Sequence, residues 1–338
     1  MNKNKKKNKY IIGGCVILIF ISLSLLIYFL IRKKPSNPFV AVGNLGTDSI
    51  GYSNDGKNWK GITGKTIFTN GYSVSCNGSR WIAGGVGKYS IAYSDNMIDW
   101  KGITGSDIFT RCNGISSNGN FWVAVGVGRY SIMYSEDNGD TWKGVDNSTT
   151  IFNAGLFGGM DVKYNGTIWV ATGNPFSTIN SSIAYSNNGI KWQGIQDSAN
   201  YATPSILSFY EKNWIIGNNT VYSEDGTNWK TDATRSSDVL SYFAVKCNEN
   251  LCVFTGTGNN NKNSIATSSV GEKTLHDVNK NIFDEEGGSF VAWNGDIWVC
   301  VGSGTNSSIA WSKDGNSWNG VINNIFTLAN SVAVQKSM

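Results

Sequence analysis

The sequence predicts an all-β protein: a seven-bladed β-propeller of four-stranded blades, preceded by one N-terminal transmembrane helix. Three observations support this prediction. A turn motif, clearest at Ser135–Trp142, recurs about every 43 residues as far as Trp318. Each repeat holds four short segments rich in β-branched and aromatic residues, separated by turn residues, which is the content of one propeller blade. An uncharged, mostly apolar segment lies near the N-terminus, at residues 11–31.

The repeats follow one another without interruption, and each begins with a predicted strand. A Gly-rich loop leads to a second strand, and the turn motif leads to a third. A longer connection containing Ile-Phe leads to a fourth strand, and an Asn-Gly turn joins it to the next repeat. No segment has helical periodicity over ten residues. The seven repeats start at Phe39, Trp81, Trp122, Trp169, Trp214, Leu251 and Trp298.

The two ends of the array predict a closed ring. The first repeat begins at Phe39 without the strand that should precede it. At the other end, Ile325–Val334 aligns without gaps on Ile67–Cys76, which contains such a strand. We therefore expect the C-terminal strand to complete the first blade, so that no sheet edge stays open. The predicted propeller spans residues 39–335.

The turn motif has the pattern Ser-x-Asp-x-Gly-x-Thr-Trp at Ser135–Trp142. In this pattern Asp accepts hydrogen bonds from backbone N–H groups, and Gly supplies a positive φ. The Trp is large enough to fill the gap between neighbouring units. The copy that begins at Ser268 is degenerate and has no Trp. The other copies are Ser53–Trp59, Ser94–Trp100, Ser186–Trp192, Ser223–Trp229 and Ser312–Trp318.

This motif resembles the Asp-box, the bacterial neuraminidase repeat of sialidases and many other β-propellers. The resemblance implies that the box is a structural turn away from any catalytic centre. The Asn/Ile/Lys-rich composition and the near-identical repeats are also similar to propeller proteins of large DNA viruses, which would place the protein in a viral envelope. The aspartates expected to have this structural role are Asp55, Asp137, Asp225 and Asp314.

The N-terminal region predicts a signal-anchor. Residues 1–10 form a basic tail, and residues 11–31 have a helical length of ~31 Å, which matches the thickness of a bilayer core. The apolar segment is longer than that of a signal peptide, and no Ala-x-Ala-like cleavage site follows. More positive charges precede the segment than follow it, which favours a cytosolic N-terminus. After a linker at 32–38, the propeller would be extracellular, lumenal or on a virion surface.

No nucleic-acid partner is expected, because the charge balance gives no indication of one. Eight of the 28 Lys and Arg residues lie in residues 1–34, whereas all 24 Asp and Glu residues lie beyond them. The rest of the chain therefore has 20 basic and 24 acidic residues, a net charge of −4. The basic isoelectric point belongs to the N-terminal segment.

Cysteines and sequons give two further predictions. Cys247 and Cys252 flank a short turn on adjacent strands, where they could form a disulfide or remain two buried thiols. No Cys-x-x-Cys is present and His276 is the only histidine, so no metal site is expected. In a lumenal domain the sequons would be glycosylation sites. They begin at Asn77, Asn147, Asn165, Asn180, Asn218 and Asn306.

The sequence offers no convincing catalytic constellation and no cofactor site. A sialidase needs converging arginines, but Arg80 belongs to an Asn-Gly turn, Arg129 to a Gly-rich loop, and Arg111 and Arg235 to connections. Other glycosidases need two paired carboxylates, and no motif pairs the acids of the outward loops. Those acids are Asp48, Asp107, Asp197, Asp238, Glu285 and Glu286.

These observations favour a non-enzymatic binding or attachment module on a membrane. The chain is expected to enter the propeller on the face of the Asp-box turns, so the Gly-rich loops point away from the membrane. The ligand would be a glycan or a protein. A glycan-processing hydrolase and a lumenal assembly scaffold remain as alternatives. The candidate ligand-binding residues on or beside the outward loops are Tyr89, Tyr130, Phe176 and Tyr201.

Overall fold

The structure, a computed structural model, describes residues 37–335 except for short gaps. The gaps are 45, 63–66, 106–108, 156, 177–179, 201–205, 218–220, 233–239, 259–262, 273, 281, 284–286, 305–306 and 323–324. The predicted tail, the apolar segment and the linker up to residue 36 lie outside the described residues. Within the described ranges, no helix is long and apolar enough to cross a bilayer.

The described residues form seven antiparallel sheets of four strands each, which confirms the predicted all-β, seven-bladed architecture. The helical elements are short: α1 is Ser148–Ile151, and a 3₁₀ turn spans Ser198–Asn200. The strands are β1 Phe39–Asn44, β2 Ile50–Ser53, β3 Lys60–Gly61, β4 Asn70–Cys76, β5 Trp81–Val86, β6 Ile91–Ser94, β7 Lys101–Gly102, β8 Arg111–Ser117, β9 Trp122–Val127, β10 Ile132–Ser135, β11 Lys143–Gly144, β12 Gly159–Tyr164, β13 Trp169–Gly173, β14 Ile183–Ser186, β15 Gln193–Gly194, β16 Leu207–Tyr210, β17 Asn213–Ile216, β18 Val221–Ser223, β19 Lys230–Thr231, β20 Leu240–Cys247, β21 Leu251–Gly258, β22 Asn263–Ser269, β23 His276–Lys280, β24 Gly288–Trp293, β25 Trp298–Gly302, β26 Ile309–Ser312, β27 Asn319–Gly320 and β28 Leu328–Val334.

The C-terminal strand belongs to the first blade. Strand β28 pairs antiparallel with β1, with Val334 opposite Phe39 and Leu328 opposite Asn44. Blade 1 is therefore β28 with β1–β3, and blades 2 to 7 take the following strands in groups of four, ending with β24–β27. The inner strands β4, β8, β12, β16, β20, β24 and β28 each contact the next, and β28 contacts β4, so the ring is closed.

The strand order gives the propeller two distinct faces. We call the turn face the side with the Asn-Gly turns and the Asp-containing turns, and the loop face the side with the Gly-rich loops and the connections between blades. Both ends of the described propeller lie on the turn face. The side-chain amides of Asn37 and Asn294 each donate to the other's backbone carbonyl, at 3.1 and 3.0 Å. Likewise, the Gln335 N–H donates to the Pro38 carbonyl at 3.0 Å.

The hydrophobic core is divided among the seven interfaces between blades. At most interfaces a fully buried Trp from the second strand of one blade packs against the preceding blade. Blade 6 has Leu251 at this position, and among the described residues the cluster between blades 5 and 6 has the buried members Cys252, Phe254 and Ala266. The fully buried tryptophans are Trp81, Trp122, Trp169, Trp214 and Trp298.

Candidate functional site

The aspartates of the turn motif bind their own turns. In the Ser53–Trp59 copy, the Ser53 hydroxyl accepts the Gly56 N–H at 2.8 Å and donates to Asp55 at 3.1 Å. The same Asp55 oxygen accepts the backbone N–H groups two and three residues further on, at 2.9 and 2.8 Å. In addition, the indole N–H of Trp59 donates to the Gly56 carbonyl at 2.9 Å, a bond that the sequence did not predict.

The other copies repeat this pattern. Asp137, Asp225 and Asp314 each accept a hydrogen bond from the motif Ser and from backbone N–H groups of the turn. Asn96 and Asn188 take the same position and accept the same bonds with an amide oxygen. A negative charge is therefore not required for the turn to form, and these side chains serve the turn rather than a ligand.

The turns depress the pKa of their aspartates. Burial alone would raise the pKa of Asp55, but hydrogen bonds from Asn58, Lys57 and Ser53 lower it to about 2, against an ordinary value of 3.8. The pKa of Asp137 is also about 2, since hydrogen bonds from Thr141 and Ser135 outweigh burial. The Ser317 N–H is the main cause of a pKa of about 2 for Asp314, and the pKa of Asp225 is lowered in the same way.

We expect these carboxylates to make the propeller less stable in acid. Their native pKa lies below the unfolded value, so their stabilising effect is complete above pH ~4 and is lost as the pH falls towards ~2. Replacing all four aspartates with Asn should leave a folded protein whose stability falls less steeply over this range. Urea unfolding midpoints measured at a series of pH values check this. Equal slopes for the variant and the wild type would contradict it.

Two of the predicted ligand-binding residues, Tyr89 and Tyr130, occupy a repeated packing position. Both are half-buried, and each ring covers the glycine of the outer strand of its blade. A Cβ atom at Gly102 would lie 2.2 Å from the Tyr89 ring, and Gly144 has the same relation to Tyr130. Phe176 is half-buried on the loop face of blade 4. Tyr201 lies outside the described residues.

The sequon asparagines differ in what their side chains bind. The Asn77 amide donates to the Gly119 carbonyl at 3.0 Å and to Asn138 at 2.7 Å, both in the next blade. The amides of Asn147 and Asn180 also donate, to the Trp192 carbonyl and to Asn200. The Asn165 oxygen accepts bonds within its own turn. The sites at Asn218 and Asn306 lie outside the described residues.

Cys247 and Cys252 form a disulfide between neighbouring strands of blade 6. The two residues are directly opposite each other in the register of β20 and β21. The other cysteines of the described chain, Cys76, Cys112 and Cys300, are free thiols. The disulfide therefore lies in the blade that has Leu251 in place of the interface Trp.

We expect loss of this disulfide to lower the free energy of unfolding by about 2 kcal/mol, the entropy value for so short a loop. Urea unfolding of a Cys247→Ser/Cys252→Ser variant measures the loss. A reductant should destabilise the wild type by a similar amount and leave the variant unchanged. If the reductant lowered the stability of both proteins equally, the effect would not come from this bond.

Arg80 joins two blades on the turn face. Its guanidinium forms ion pairs with Asp95 at 2.7 Å and with Asp140 of the next blade at 2.5 Å. It also lies over the Tyr93 ring, 4.3 Å from the centroid. The Asp95 hydrogen bond is the main cause of its raised pKa. Arg80 therefore has a structural partner for its charge.

The structure places Arg111 in a different element from the one that the sequence predicted. It was expected in a connection, but it is the first residue of the inner strand β8. The preceding Ile-Phe-Thr aligns with the residues before Asn70, the first residue of β4. That alignment is the signal that could have placed Arg111 at the start of a strand, on the loop face beside the central channel.

Six of the seven inner strands have a β-bulge close to their loop-face ends, which the sequence analysis missed; β16 pairs without one. In β4 the register shifts between Gly71 and Ser73, so Tyr72 is the extra residue. Asn113 is the extra residue of β8. Bulges redirect side chains and are common beside binding sites. The equivalent residues in other blades are Met160, Phe243, Ser289 and Asn330.

Arg111 lies close to two aromatic rings, that of Tyr72 at the β4 bulge and that of Phe157 in the connection after blade 3. The guanidinium carbon lies 5.9 Å from the ring centroid of Tyr72 and 5.9 Å from that of Phe157. Phe157 is 56% exposed. The Asn113 amide donates to the Phe157 carbonyl at 3.1 Å and to the Gly159 carbonyl at 2.7 Å, which holds this aromatic residue at the surface. We call Tyr72, Arg111, Asn113 and Phe157 the Arg111 cluster.

The backbone next to the cluster requires a glycine. Gly158 has φ of +62°, and a Cβ atom there would lie 1.8 Å from the Gly126 carbonyl oxygen. Any other residue would therefore displace the segment that presents Phe157. This glycine therefore fixes the backbone path directly after Phe157.

The central channel itself is occupied by side chains. The Lys163 ammonium binds both oxygens of Asp161 at 2.9 Å and lies 5.2 Å from the ring centroid of Phe290. Lys163 is in blade 4 and Phe290 is in blade 7, so this contact crosses the channel. Asp161 also accepts the Leu207 N–H of the next blade at 3.0 Å. The charges at this level of the channel are therefore paired.

Comparison with solved structures shows the fold. The chain is similar to "YCF48 bound to D1 peptide", with 15% identity over 87% of this chain and 89% of that chain and a TM-score of 0.57. It is also similar to "Crystal structure of Nidogen/Laminin Complex", with 11% identity, 90% and 99% coverage and a TM-score of 0.50. At these identities the likeness establishes a propeller and no more. Neither a protein-family profile nor a curated protein matches the sequence.

Proposed function

We propose that the protein is a non-enzymatic, membrane-anchored binding module that recognises a segment of a partner protein on the loop face of blades 2 to 4. One observation carries the proposal. Phe157 is 56% exposed and is held in place by Asn113 beside Arg111. Aromatic and Arg side chains supply much of the binding energy at protein interfaces. A fixed, exposed aromatic residue also loses little conformational entropy when it binds.

The structural neighbours support a protein ligand. In these solved structures YCF48 is bound to a D1 peptide and nidogen is in a complex with laminin. Those partners belong to other proteins, so they support the class of ligand rather than its identity. The resemblance of the turns to the Asp-box supports a structural role for the motif aspartates, which leaves the loop face available for binding.

Membrane display and location are further parts of the proposal. The apolar segment 11–31 has the length and flanking charges of a signal-anchor. The Cys247–Cys252 disulfide supports an oxidising compartment, such as a lumen or the cell exterior. A virion surface would satisfy the same two observations. The proposed topology has a cytosolic N-terminus and a propeller on the opposite side.

The test compares two exposed apolar residues on the same face. Proximity labelling with the full chain should mark a partner whose labelling is lost in Phe157→Ala and retained in Ile322→Ala. Ile322 is 91% exposed and lies in the connection after blade 7. Equal labelling of the partner by both variants would show that Phe157 does not belong to the binding site. If the wild type bound a glycan array and Phe157→Ala did not, the ligand would be a sugar rather than a protein.

A further inference from the structure

We propose that Arg111 is a carboxylate-binding subsite, so that the partner segment presents an Asp, a Glu or a C-terminal carboxylate next to an apolar side chain. This inference rests on the proposed function and specifies the chemistry of the ligand. Arg111 differs from Arg80 and Lys163, two other half-buried cations of the described chain, in having no carboxylate partner there.

Arg80 and Lys163 have carboxylate partners within the propeller, and the ammonium of the half-buried Lys57 lies over the Trp311 ring, 4.2 Å from its centroid. Arg80 pairs with Asp95 and Asp140, and Lys163 pairs with Asp161. Arg111 forms no ion pair with any residue that the structure describes. Its Nε atom is buried and has no hydrogen-bond acceptor among the described residues. A buried donor without an acceptor is costly, and more so when it is charged.

The described surroundings of Arg111 leave the hydrogen-bonding capacity of its Nε unused. A guanidinium has five N–H donors in its own plane, and aromatic rings do not replace the acceptors that these donors need. Tyr72 and Phe157 instead fix the position of the group and reduce its exposure to water. A fixed guanidinium suits the two oxygens of a carboxylate, which it binds through two parallel hydrogen bonds.

The described charges near Arg111 are mostly basic. Within the described loops and inner-strand ends of the loop face, the Lys and Arg residues are Lys88, Arg111 and Arg129, all in blades 2 and 3. Of the acidic residues described in these loops, Asp146 follows blade 3, whereas Asp48, Asp197 and Asp232 belong to other blades. The motif aspartates all lie on the opposite, turn face. A positively charged region of this kind favours the approach and orientation of a negatively charged segment.

Phe157 specifies the second part of the ligand. Its ring is beside Arg111 and more than half exposed, so an apolar side chain near the carboxylate would cover it. The Asn113 hydrogen bonds fix the spacing between the apolar and the charged contacts. The recognised segment therefore combines one carboxylate and one apolar side chain within a few residues.

Selection from a random peptide library displayed on phage, with the full chain in detergent as bait, tests the inference. Peptides that bind the wild type and lose binding to Phe157→Ala should be enriched in carboxylates. For a synthetic peptide of this group, replacing the carboxylate by the amide should weaken binding to the wild type about tenfold or more, the effect of one charge-assisted pair. Arg111→Gln should bind the acid and the amide equally, whereas Lys88→Gln should still prefer the acid.

The outcomes separate the subsite from the proposed function. The carboxylate subsite would be refuted if the Phe157-dependent peptides lacked carboxylates, or if the wild type bound the acid and the amide peptide equally. The proposed binding surface at Phe157 would remain supported in both cases. If no peptide depends on Phe157, the proposed function fails as well. The comparison of acid and amide on the wild type needs no variant, so the test remains decisive even if Arg111→Gln does not fold.

Discussion

Removal of residues 326–338 should give a chain that does not fold into a monomeric ring. The deletion takes away β28, the inner strand of blade 1, and leaves β1 with an open edge. It also removes three buried side chains from the interface between blades 7 and 1: Phe326, Ala329 and Val332. Gel filtration and near-UV circular dichroism should show aggregated or unfolded protein.

Two controls accompany the truncation. Removal of residues 336–338 alone, which lie after β28, should leave the fold unchanged. A synthetic peptide of residues 325–335 added during refolding should restore native ellipticity, because it supplies the same strand in trans. A truncated chain that remains monomeric with a native near-UV spectrum would show that the ring does not depend on β28.

Trp169→Ala should lower the free energy of unfolding by about 3–5 kcal/mol, the usual cost of replacing a large buried aromatic side chain by alanine. Trp169 is fully buried between blades 3 and 4 and packs against Val123, Val125 and Phe152. Its indole N–H has no acceptor among the described residues, so the loss comes from packing rather than from a hydrogen bond. Urea unfolding followed by fluorescence measures the change.

Trp169→Phe is the matched control, since it retains most of the apolar volume and has no indole N–H. Its cost should be clearly smaller than that of Trp169→Ala. Trp59→Ala gives a second comparison, because Trp59 is only partly buried and also binds the Gly56 carbonyl. If Trp59→Ala cost more than Trp169→Ala, the interface tryptophans would not dominate the stability of the ring.

The blade number and strand order could be predicted because the same residues recur in every unit. Trp81, Trp122 and Trp169 mark equivalent strands, and the motif glycine marks the following turn. The alignment of Ile325–Val334 with Ile67–Cys76 agrees with the structure, in which both segments contribute inner strands of neighbouring blades. The predicted membrane segment lies outside the described residues and stays a prediction.

The candidate site was harder to predict, because it depends on side-chain direction rather than on repetition. Tyr89 and Tyr130 were conspicuous because they recur, and recurrence in fact marks a packing position over Gly102 and Gly144. The bulge at Tyr72 leaves only a weak trace in the sequence, since it depends on pairing with another strand. Phe157 belongs to one connection only and has no counterpart in the repeat.

The pairing of β1 with β28 has a consequence for biosynthesis. The two strands are separated by about 290 residues, so the second emerges from a ribosome roughly 15–60 s after the first at ordinary rates of translation. During this time the earliest blade has only three of its strands and an exposed edge. The nascent chain is therefore most vulnerable to mispairing with other chains before β28 is made. Slower elongation over the codons that precede β28 would lengthen this interval.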